Sequence, residues 1–254
     1  MSFGALEAQA LVVPVGGWTV HVDDGTVFDA TVAAGTYSPT TLLAAFVAAL
    51  EAGSAQSYSG SIANGEGGTG VVSVVIAGSA TFSVTWTSSD LRDALGYTGA
   101  LGAAKTQTST YCIKGLWLPD CPMSGSYGAA DPGHTVGGLV QTRSPLGVIK
   151  SISHPTYVEL PSVTWTHVSA ARTRQAAESG APRSWERFCR EVIYGNASGV
   201  SYFTPGGVVR LIWNADSPGT YTDYYPIAPK TTATPRADAA WSGLYSVSFA
   251  GTKL

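Results

Sequence analysis

The sequence has few charged side chains and no marked excess of either sign. Only 12% of its 254 residues are Asp, Glu, Lys or Arg, about half the fraction that is usual in a soluble domain. The formal net charge is −3, so no general attraction to nucleic acid or anionic lipid is expected. Because 44% of the residues are hydrophobic, the low charge does not indicate disorder. We therefore expect a surface of Ser, Thr and Gly, or one that other subunits cover.

Cysteine pairs and long apolar runs are lacking as well. The three cysteines, Cys112, Cys121 and Cys189, are odd in number and show no C-x-x-C spacing, so a disulfide framework is not expected. No basic segment followed by an apolar run opens the sequence, and no apolar stretch is long enough for a membrane span. These absences predict a soluble product made in a cytoplasm, and later incorporation into a particle is compatible with them.

Motifs of catalysis and of metal binding are also missing. There is no G-x-S-x-G elbow, no H-E-x-x-H and no Walker loop. Cys112, Cys121 and His134 lack the close spacing of paired zinc ligands, and Cys189 is interpreted as a small core residue. The histidines are scattered without ligand spacing: His21, His134, His154 and His167. The sequence predicts no catalytic residue, no cofactor and no metal, and a hydrolase with an unrecognised site is the least favoured alternative.

Two short motifs that suggest sites are interpreted as turns. GEGGTG, residues 65–70, fits G-x-G-x-x-G, but a strand is predicted after it, whereas a phosphate site needs a helix N-terminus there. Asp23 and Asp24 are adjacent, and adjacent residues of a strand point to opposite faces, so they are poorly placed to act as a carboxylate pair. Asp24 followed by Gly25 is instead a hairpin signal.

What the sequence does contain is mostly strand pattern. Aromatic or β-branched residues alternate with polar ones in several segments, which predicts half-buried strands; clear examples are residues 18–22, 82–86, 163–166 and 245–249. Residues 71–78 and 208–213 are nearly continuous apolar runs, which predicts strands covered on both faces. We expect a mainly β protein with a few short helices (α+β), with antiparallel sheets in a sandwich or barrel-like arrangement.

The first helix is well marked. Ser38 can cap it, and Pro39 suits its first position because the missing N–H would be unpaired there. An apolar stripe predicts a helix over about 39–52 that ends at Gly53, and the stripe consists of Leu42, Leu43, Phe46, Val47 and Leu50.

Two further helices are shorter. Ser88 or Ser89 is expected to cap one or two turns that Gly96 closes. Ser184 precedes a helix over about 185–194, whose apolar residues have i, i+3, i+4, i+7 spacing: Trp185, Phe188, Cys189 and Val192.

A change of composition near residue 105 predicts two β-rich domains, 1–104 and 105–254. Residues 116–138 are punctuated by Pro and Gly and are predicted to be a long loop, which in a compact protein is usually functional or an interaction arm. Residues 172–183 form a second polar connector. Both connectors are expected to become ordered in an assembly.

Tyrosines cluster in WNADSPGTYTDYYPIAP, residues 213–229. The Pro-Gly pair predicts a hairpin turn with Tyr221, Tyr224 and Tyr225 on its flank. Because stacked aromatic rings bind sugars well, a carbohydrate- or receptor-binding site is an open alternative to a plain hairpin.

Several stretches resemble virion proteins of tailed bacteriophages. TVAAGTYSPTTLLAAFVAALEAG (31–53) and ATFSVTWTSSDLRDALGYTG (80–99) resemble an N-terminal module in which a strand, a G-x-Y-(S/T) start, a helix, more strands and an LG(Y/F) turn recur. SWERFCREVIYG (184–195), followed by YTDYYPI, PRADAAW and LYSVSFAG, resembles the C-terminal part of small phage tail proteins, in which a late arginine precedes the last strand.

The resemblance implies a non-enzymatic structural component of a tailed-phage virion, in the tail (tube, distal tail or tail-associated), made in the host bacterial cytoplasm. Such a protein would assemble through strand edges and loops with copies of itself and other virion proteins, without specific nucleic-acid or membrane binding. Alternatives are a capsid cement or decoration protein, and a receptor- or carbohydrate-binding module of the virion that contacts a host-surface glycan. Low charge and many small residues agree with subunits that pair strand edges.

Overall fold

The structure is a computed structural model that describes residues 4–64, 72–119, 134–135, 139–143, 149–153, 158–159, 162–173, 184–194, 203–212, 221–226, 232–235 and 244–254. The described chain is mainly β, with antiparallel sheets and short helices, one sheet being curled into half a barrel. The predicted fold class is confirmed. No helix among the described residues is long and apolar enough to cross a membrane.

The strands are, in chain order, β1 (Ala5–Ala8), β2 (Leu11–Val13), β3 (Trp18–Asp23), β4 (Val27–Val32), β5 (Gly35–Tyr37), β6 (Tyr58–Asn64), β7 (Val72–Trp86), β8 (Leu101–Cys112), β9 (Leu116–Trp117), β10 (His134–Thr135), β11 (Leu139–Arg143), β12 (Ile149–Ser153), β13 (Val158–Glu159), β14 (Ser162–Ser169), β15 (Val209–Ile212), β16 (Tyr221–Pro226), β17 (Thr232–Pro235) and β18 (Leu244–Lys253). The helices are α1 (Pro39–Gly53), α2 (Ser89–Leu95), α3 (Ala170–Thr173) and α4 (Trp185–Phe188), which a π-helical segment, Cys189–Ile193, continues.

One sheet has five strands, in the order β4-β3-β7-β6 with β8 also paired to β7. β8 follows one edge of the long β7, and β6 and β3 share its other edge in succession. The register shows this at Ile76, which lies between Gly60 and Gln107 on the neighbouring strands.

Helix α1 covers this sheet and packs against β4 and β6. Ser38 accepts from the Thr41 N–H at 3.2 Å, and the Thr41 hydroxyl accepts from the Ser38 N–H at 2.7 Å, which is a complete capping box. The predicted helix and stripe are confirmed, although Val47 is only partly buried; the fully buried members are Leu42, Leu43, Phe46 and Leu50.

Gly53 does not end α1 by a left-handed turn. It is the last helical residue, and Ser54 follows it with an extended backbone. A Cβ at Gly53 would collide with the Phe28 ring, so the glycine permits close approach between α1 and β4. The helix ends at this glycine, as predicted, and the glycine also permits a contact with a distant strand that the local sequence does not show.

The short helix α2 is capped by Ser88 and closed by Gly96, whose φ is 83°, as predicted. A Cβ at Gly96 would collide with the Tyr111 carbonyl oxygen. The next residue, Tyr97, is buried, and its hydroxyl lies 3.3 and 3.2 Å from the carbonyl oxygens of Val74 and Gln107. The LGY turn thus fastens α2 to β7 and β8.

The other large sheet has seven strands, in the order β14-β18-β16-β15-β1-β9 with β17 paired to β18. Its core contains an aromatic cluster of Trp117, Trp165, Trp185 and Phe188. The Trp117 ring centre lies 5.0 Å from that of Trp165 and 4.8 Å from that of Trp185. The apolar face predicted for 185–194 is confirmed as buried.

The predicted long loop is wrong at its start. Residues 116–117 form β9, which pairs with β1, and Trp117 is fully buried. Residues 120–133 and 136–138 lie outside the described residues, as do residues 174–183 of the second connector. The sequence around residue 117 does not show that Trp117 pairs with Leu6 and packs against Trp165 and Trp185.

Sheet membership does not follow the predicted division at 104/105. Residue 105 lies inside β8, and β1 pairs with β15 of the seven-stranded sheet. The buried apolar residues of both sheets form one continuous cluster.

The two apolar runs are strands, but they are not covered on both faces. In residues 74–78 of β7 and 209–212 of β15, buried residues alternate with half-buried ones, so the prediction of full coverage is wrong there. The half-buried residues are Val75, Ala77, Arg210 and Ile212.

Candidate functional site

Side chains that could hold a metal do not come together in the described part of the chain. His21 pairs through Nδ1 with Asp29 on an exposed strand face, and His167 Nδ1 lies 3.0 Å from the Thr166 hydroxyl. The described ranges contain no group of three or more His, Cys, Asp or Glu residues that could hold a metal ion. Cys121 and His154 lie outside those ranges, and His134 is part of β10.

The two described cysteines are buried. Cys112 lies at the end of β8, and Cys189 lies in the π-helical segment. Burial, and secondarily the charge of Glu186, raises the pKa of Cys189 to about 12. A thiol that stays protonated at neutral pH is a poor nucleophile, which agrees with the interpretation of Cys189 as a core residue.

The adjacent aspartates belong to a turn, as predicted. Gly25 has φ 102° between β3 and β4. Its N–H donates to Asp23 Oδ1 at 3.0 Å, and the Thr26 N–H donates to Asp24 Oδ1 at 3.2 Å. Residues 65–70 lie outside the described residues, but the strands on either side pair antiparallel, with Asn64 opposite Val72.

Asp24 also makes long-range hydrogen bonds that the sequence pattern does not predict. Its Oδ2 accepts hydrogen bonds from the Ser54 hydroxyl and, at 3.0 Å, from the Tyr58 hydroxyl. The bond from Ser54 is the largest cause of the lowered pKa of Asp24. The carboxylate thus ties the β3–β4 turn to the end of α1 and the start of β6.

The tyrosine-rich hairpin forms, with Ile212 of β15 opposite Tyr221 of β16. Tyr221 and Tyr225 are 47% and 49% exposed, whereas Tyr224 is 3% exposed. Alternate residues of a strand point to opposite faces, so only two of the three predicted tyrosines share the outer surface. The turn residues 213–220 lie outside the described residues.

Arg210 and Asp223 lie between these tyrosines. Arg210 Nε and Nη2 donate to Asp223 Oδ1 and Oδ2 at 2.8 and 2.9 Å. The guanidinium carbon lies 3.7 Å from the centre of the Tyr221 ring. The bond to Asp223 is the main reason why the pKa of Arg210 is raised. We call Arg210, Tyr221, Asp223 and Tyr225 the tyrosine patch.

A buried carboxylate continues this polar row. Glu7 of β1 pairs in register with Arg210 and is 3% exposed. It accepts from the Thr40 N–H at 3.1 Å, at the first turn of α1, and from Gln9 Nε2 at 3.1 Å. A carboxylate at a helix N-terminus is favoured by the helix dipole. Sequence reasoning missed Glu7, Arg210 and Asp223, and the available signal was one charged residue inside each of three strands.

The second candidate surface is the outer edge of β8. Among the described residues, β8 pairs only with β7, and near its end the Tyr111 N–H donates to the Gly96 carbonyl at 2.8 Å. The uncovered part is residues 101–110, which we call the free β8 edge. It contains one charged residue, Lys105, and no proline, and its exposed residues include Thr106, Thr108 and Thr110.

Comparison with known proteins gives no match: no protein-family model, no curated protein and no solved structure is similar to this chain. The functional proposals therefore rest on the tyrosine patch, the free β8 edge and the sequence resemblance.

Proposed function

We propose that the chain is a non-enzymatic structural component of a tailed-bacteriophage virion, placed in the tail, that assembles with copies of itself and with other virion proteins. The observation that carries this proposal is the free β8 edge. In this proposal the protein is made in the host bacterial cytoplasm and functions in the virion.

An edge strand presents a row of backbone N–H and C=O groups that another strand can satisfy. Proteins that must stay monomeric usually protect such edges with charges, prolines, bulges or a very short strand. The free β8 edge has a single lysine and small residues beside it. Register shifts interrupt its pairing with β7 on both sides of residues 106–108, so these three residues are the regular part of the edge.

The edge alone is too small for a stable assembly. Obligate contacts usually bury about 2,000 Å² or more in total. The outer face of the same sheet offers additional surface, where the Thr19 and Thr31 hydroxyls lie 2.9 Å apart beside the exposed His21–Asp29 pair. A neighbouring copy that pairs with β8 would also cover part of this face.

The resemblance to phage virion proteins supports the same proposal. Its N-terminal stretches fold as β5 followed by the capped helix α1, and as the end of β7 followed by α2 and the Gly96–Tyr97 turn. This order of strand, helix, strands and turn agrees with the module described above. A capsid cement or decoration protein would use the same kind of edge, so location in the particle separates the two.

Replacing one threonine tests the edge. Thr108→Lys places a charge on the free β8 edge, and Thr36→Lys places the same charge at an exposed position of β5, outside the five-stranded sheet. Light scattering after size-exclusion chromatography and negative-stain microscopy are expected to show oligomers for the wild type and Thr36→Lys, and a shift to monomer for Thr108→Lys. A wild-type chain that stays monomeric at high concentration, or two variants that behave alike, would reject the edge as the assembly surface.

Location is tested on particles. Antibody labelling of virions that contain the chain is expected to mark the tail. Labels on the capsid would favour the cement alternative, and absence of the chain from purified particles would contradict the virion proposal itself.

A further inference from the structure

The tyrosine patch has features that assembly through β8 does not explain. Tyr221 and Tyr225 are about half exposed and lie on one face of β16. Residues four apart on a strand are separated by about 13 Å. Asp223 lies midway between them on the same face, so two rings flank a carboxylate in a line.

Three of the four side chains of the patch, Arg210, Tyr221 and Asp223, are held in place before any ligand binds. The Arg210 guanidinium lies over one side of the Tyr221 ring and fixes the Asp223 carboxylate with two parallel hydrogen bonds. Such bidentate pairs are strong and directional. A surface whose side chains are already ordered loses less conformational entropy on binding, which makes a shallow site on a sheet face effective.

The charge of the patch selects the chemistry of the ligand. Arg210 and Asp223 compensate each other, and the buried Glu7 carboxylate adds negative charge beside Arg210, on the neighbouring strand. An anionic ligand would be repelled, and a cation would have to displace Arg210. Hydrogen-bonding capacity is nevertheless left, since each carboxylate oxygen has a second lone pair and only two of the five guanidinium N–H groups bond to Asp223.

A ligand that fits must be neutral, carry hydroxyl groups and offer an apolar C–H face to the aromatic rings. Pyranose sugars combine these properties, and the distance between the two rings matches several linked sugars better than one. We propose that the tyrosine patch binds a neutral oligosaccharide, with sugar rings against Tyr221 and Tyr225 and hydroxyl groups bonded to Asp223 and Arg210. This role is independent of assembly through the free β8 edge.

The test is titration of the full chain with maltotriose, cellotriose and chitotriose, followed by saturation-transfer NMR and calorimetry. At least one of these neutral trisaccharides is expected to bind at ~10 mM or below, more tightly than its monosaccharide and than 3′-sialyllactose. Tyr225→Ala is expected to weaken binding about tenfold or more, a loss of about 1.4 kcal/mol, and Tyr225→Phe is expected to retain it.

A matched control is available. Tyr194 is 47% exposed and follows the π-helical segment, outside the patch, so Tyr194→Ala is expected to leave binding unchanged. Asp223→Asn keeps the size of the side chain and is expected to reduce binding with little change in the melting temperature. Failure of all three trisaccharides to bind, equal losses in Tyr225→Ala and Tyr194→Ala, or stronger binding of 3′-sialyllactose would each overturn the proposal.

Discussion

The two large sheets differ in how far apart their paired strands lie in the sequence. In the five-stranded sheet, β3–β4 and β6–β7 are hairpins of neighbouring segments, and β3–β7 joins more distant strands. In the seven-stranded sheet, β15–β16 and β17–β18 are local, but β1 pairs with β15 and β14 pairs with β18, so its strands come from both ends of the chain. Local pairing closes short loops and is favoured early in folding, whereas distant pairing must first overcome a larger loop entropy. The first sheet is therefore specified by short signals, and the second depends on the whole chain.

The two sheets are nevertheless physically connected. Their buried residues form one cluster, and Glu7 of the seven-stranded sheet accepts a hydrogen bond from the first turn of α1, which covers the five-stranded sheet. The following predictions ask whether the two regions behave as one unit, beginning with the largest expected effect.

Removing one core ring from each region is the strongest comparison. Phe46 of α1 and Phe249 of β18 are both fully buried, so Phe46→Ala and Phe249→Ala should each lower the free energy of unfolding by about 3–5 kcal/mol through lost burial and a cavity. Because the core is continuous, urea unfolding followed by tryptophan fluorescence and by circular dichroism should show one coincident transition for both variants. Two separate transitions, each moved by only one variant, would show that the regions unfold independently.

Two glycine substitutions test the left-handed turn that ends α2 in the five-stranded region. Gly96→Ala should destabilise by about 1–3 kcal/mol, because φ is positive and the new Cβ would meet the Tyr111 carbonyl. Gly99 has no atom within 4 Å of an added Cβ, so Gly99→Ala serves as the control and should have little effect on thermal unfolding. Equal melting temperatures for both variants would contradict the structure of the α2 turn.

The connection through Glu7 can be weakened directly. Glu7→Gln removes a buried negative charge that accepts from Thr40 at the N-terminus of α1, and should cost about 1–2 kcal/mol. Glu51→Gln makes the same chemical change at an exposed position of α1, and it should lower the free energy of unfolding by less. Denaturant titration of both variants measures the difference, and a larger loss in Glu51→Gln would show that Glu7 does not join the two regions.

The smallest effect concerns Asp24, whose pKa is lowered mainly by the Ser54 hydroxyl. A carboxyl whose folded pKa lies below its unfolded value of about 4 stabilises the fold above that pH, and the contribution is lost as pH falls through the folded pKa. Asp24 is largely solvated, so screening keeps the effect small. The stability difference between wild type and Asp24→Asn should shrink between pH 6 and pH 3.

Ser54→Ala is the control for this pH dependence, since it removes the main cause of the shift. It should reduce the contribution of Asp24 at neutral pH and flatten its loss in acid. A difference between wild type and Asp24→Asn that grows on acidification would mean that the hydrogen bonds favour the protonated carboxyl.

Much of the five-stranded region could be predicted from residue patterns. The Ser38 cap, the α1 stripe, the Asp24-Gly25 turn and the left-handed Gly96 all follow from interactions within a few residues. The role of Gly53 could not be predicted in the same way, because Phe28 lies on a strand that precedes the helix.

Only part of the tyrosine patch could be predicted from the sequence. The tyrosines and the Pro-Gly turn predicted a hairpin, and the period of two indicates that Tyr224 points away from Tyr221 and Tyr225. That Arg210 lies opposite Asp223 depends on the register of β15 against β16. Register is set by the turn and by which face is buried, and a single strand pattern fixes neither.

The sequence by itself determined the mainly β character, the helix caps and the local turns, because backbone preferences and short-range hydrogen bonds act within a few residues. The tertiary structure alone decided that β1 lies between β15 and β9, that Trp117 is a core residue instead of part of a loop, and that Glu7 joins α1 to the other sheet. These contacts join segments that are separated in the sequence by about 30 residues or more. Their stability comes from shared burial, which no local pattern records.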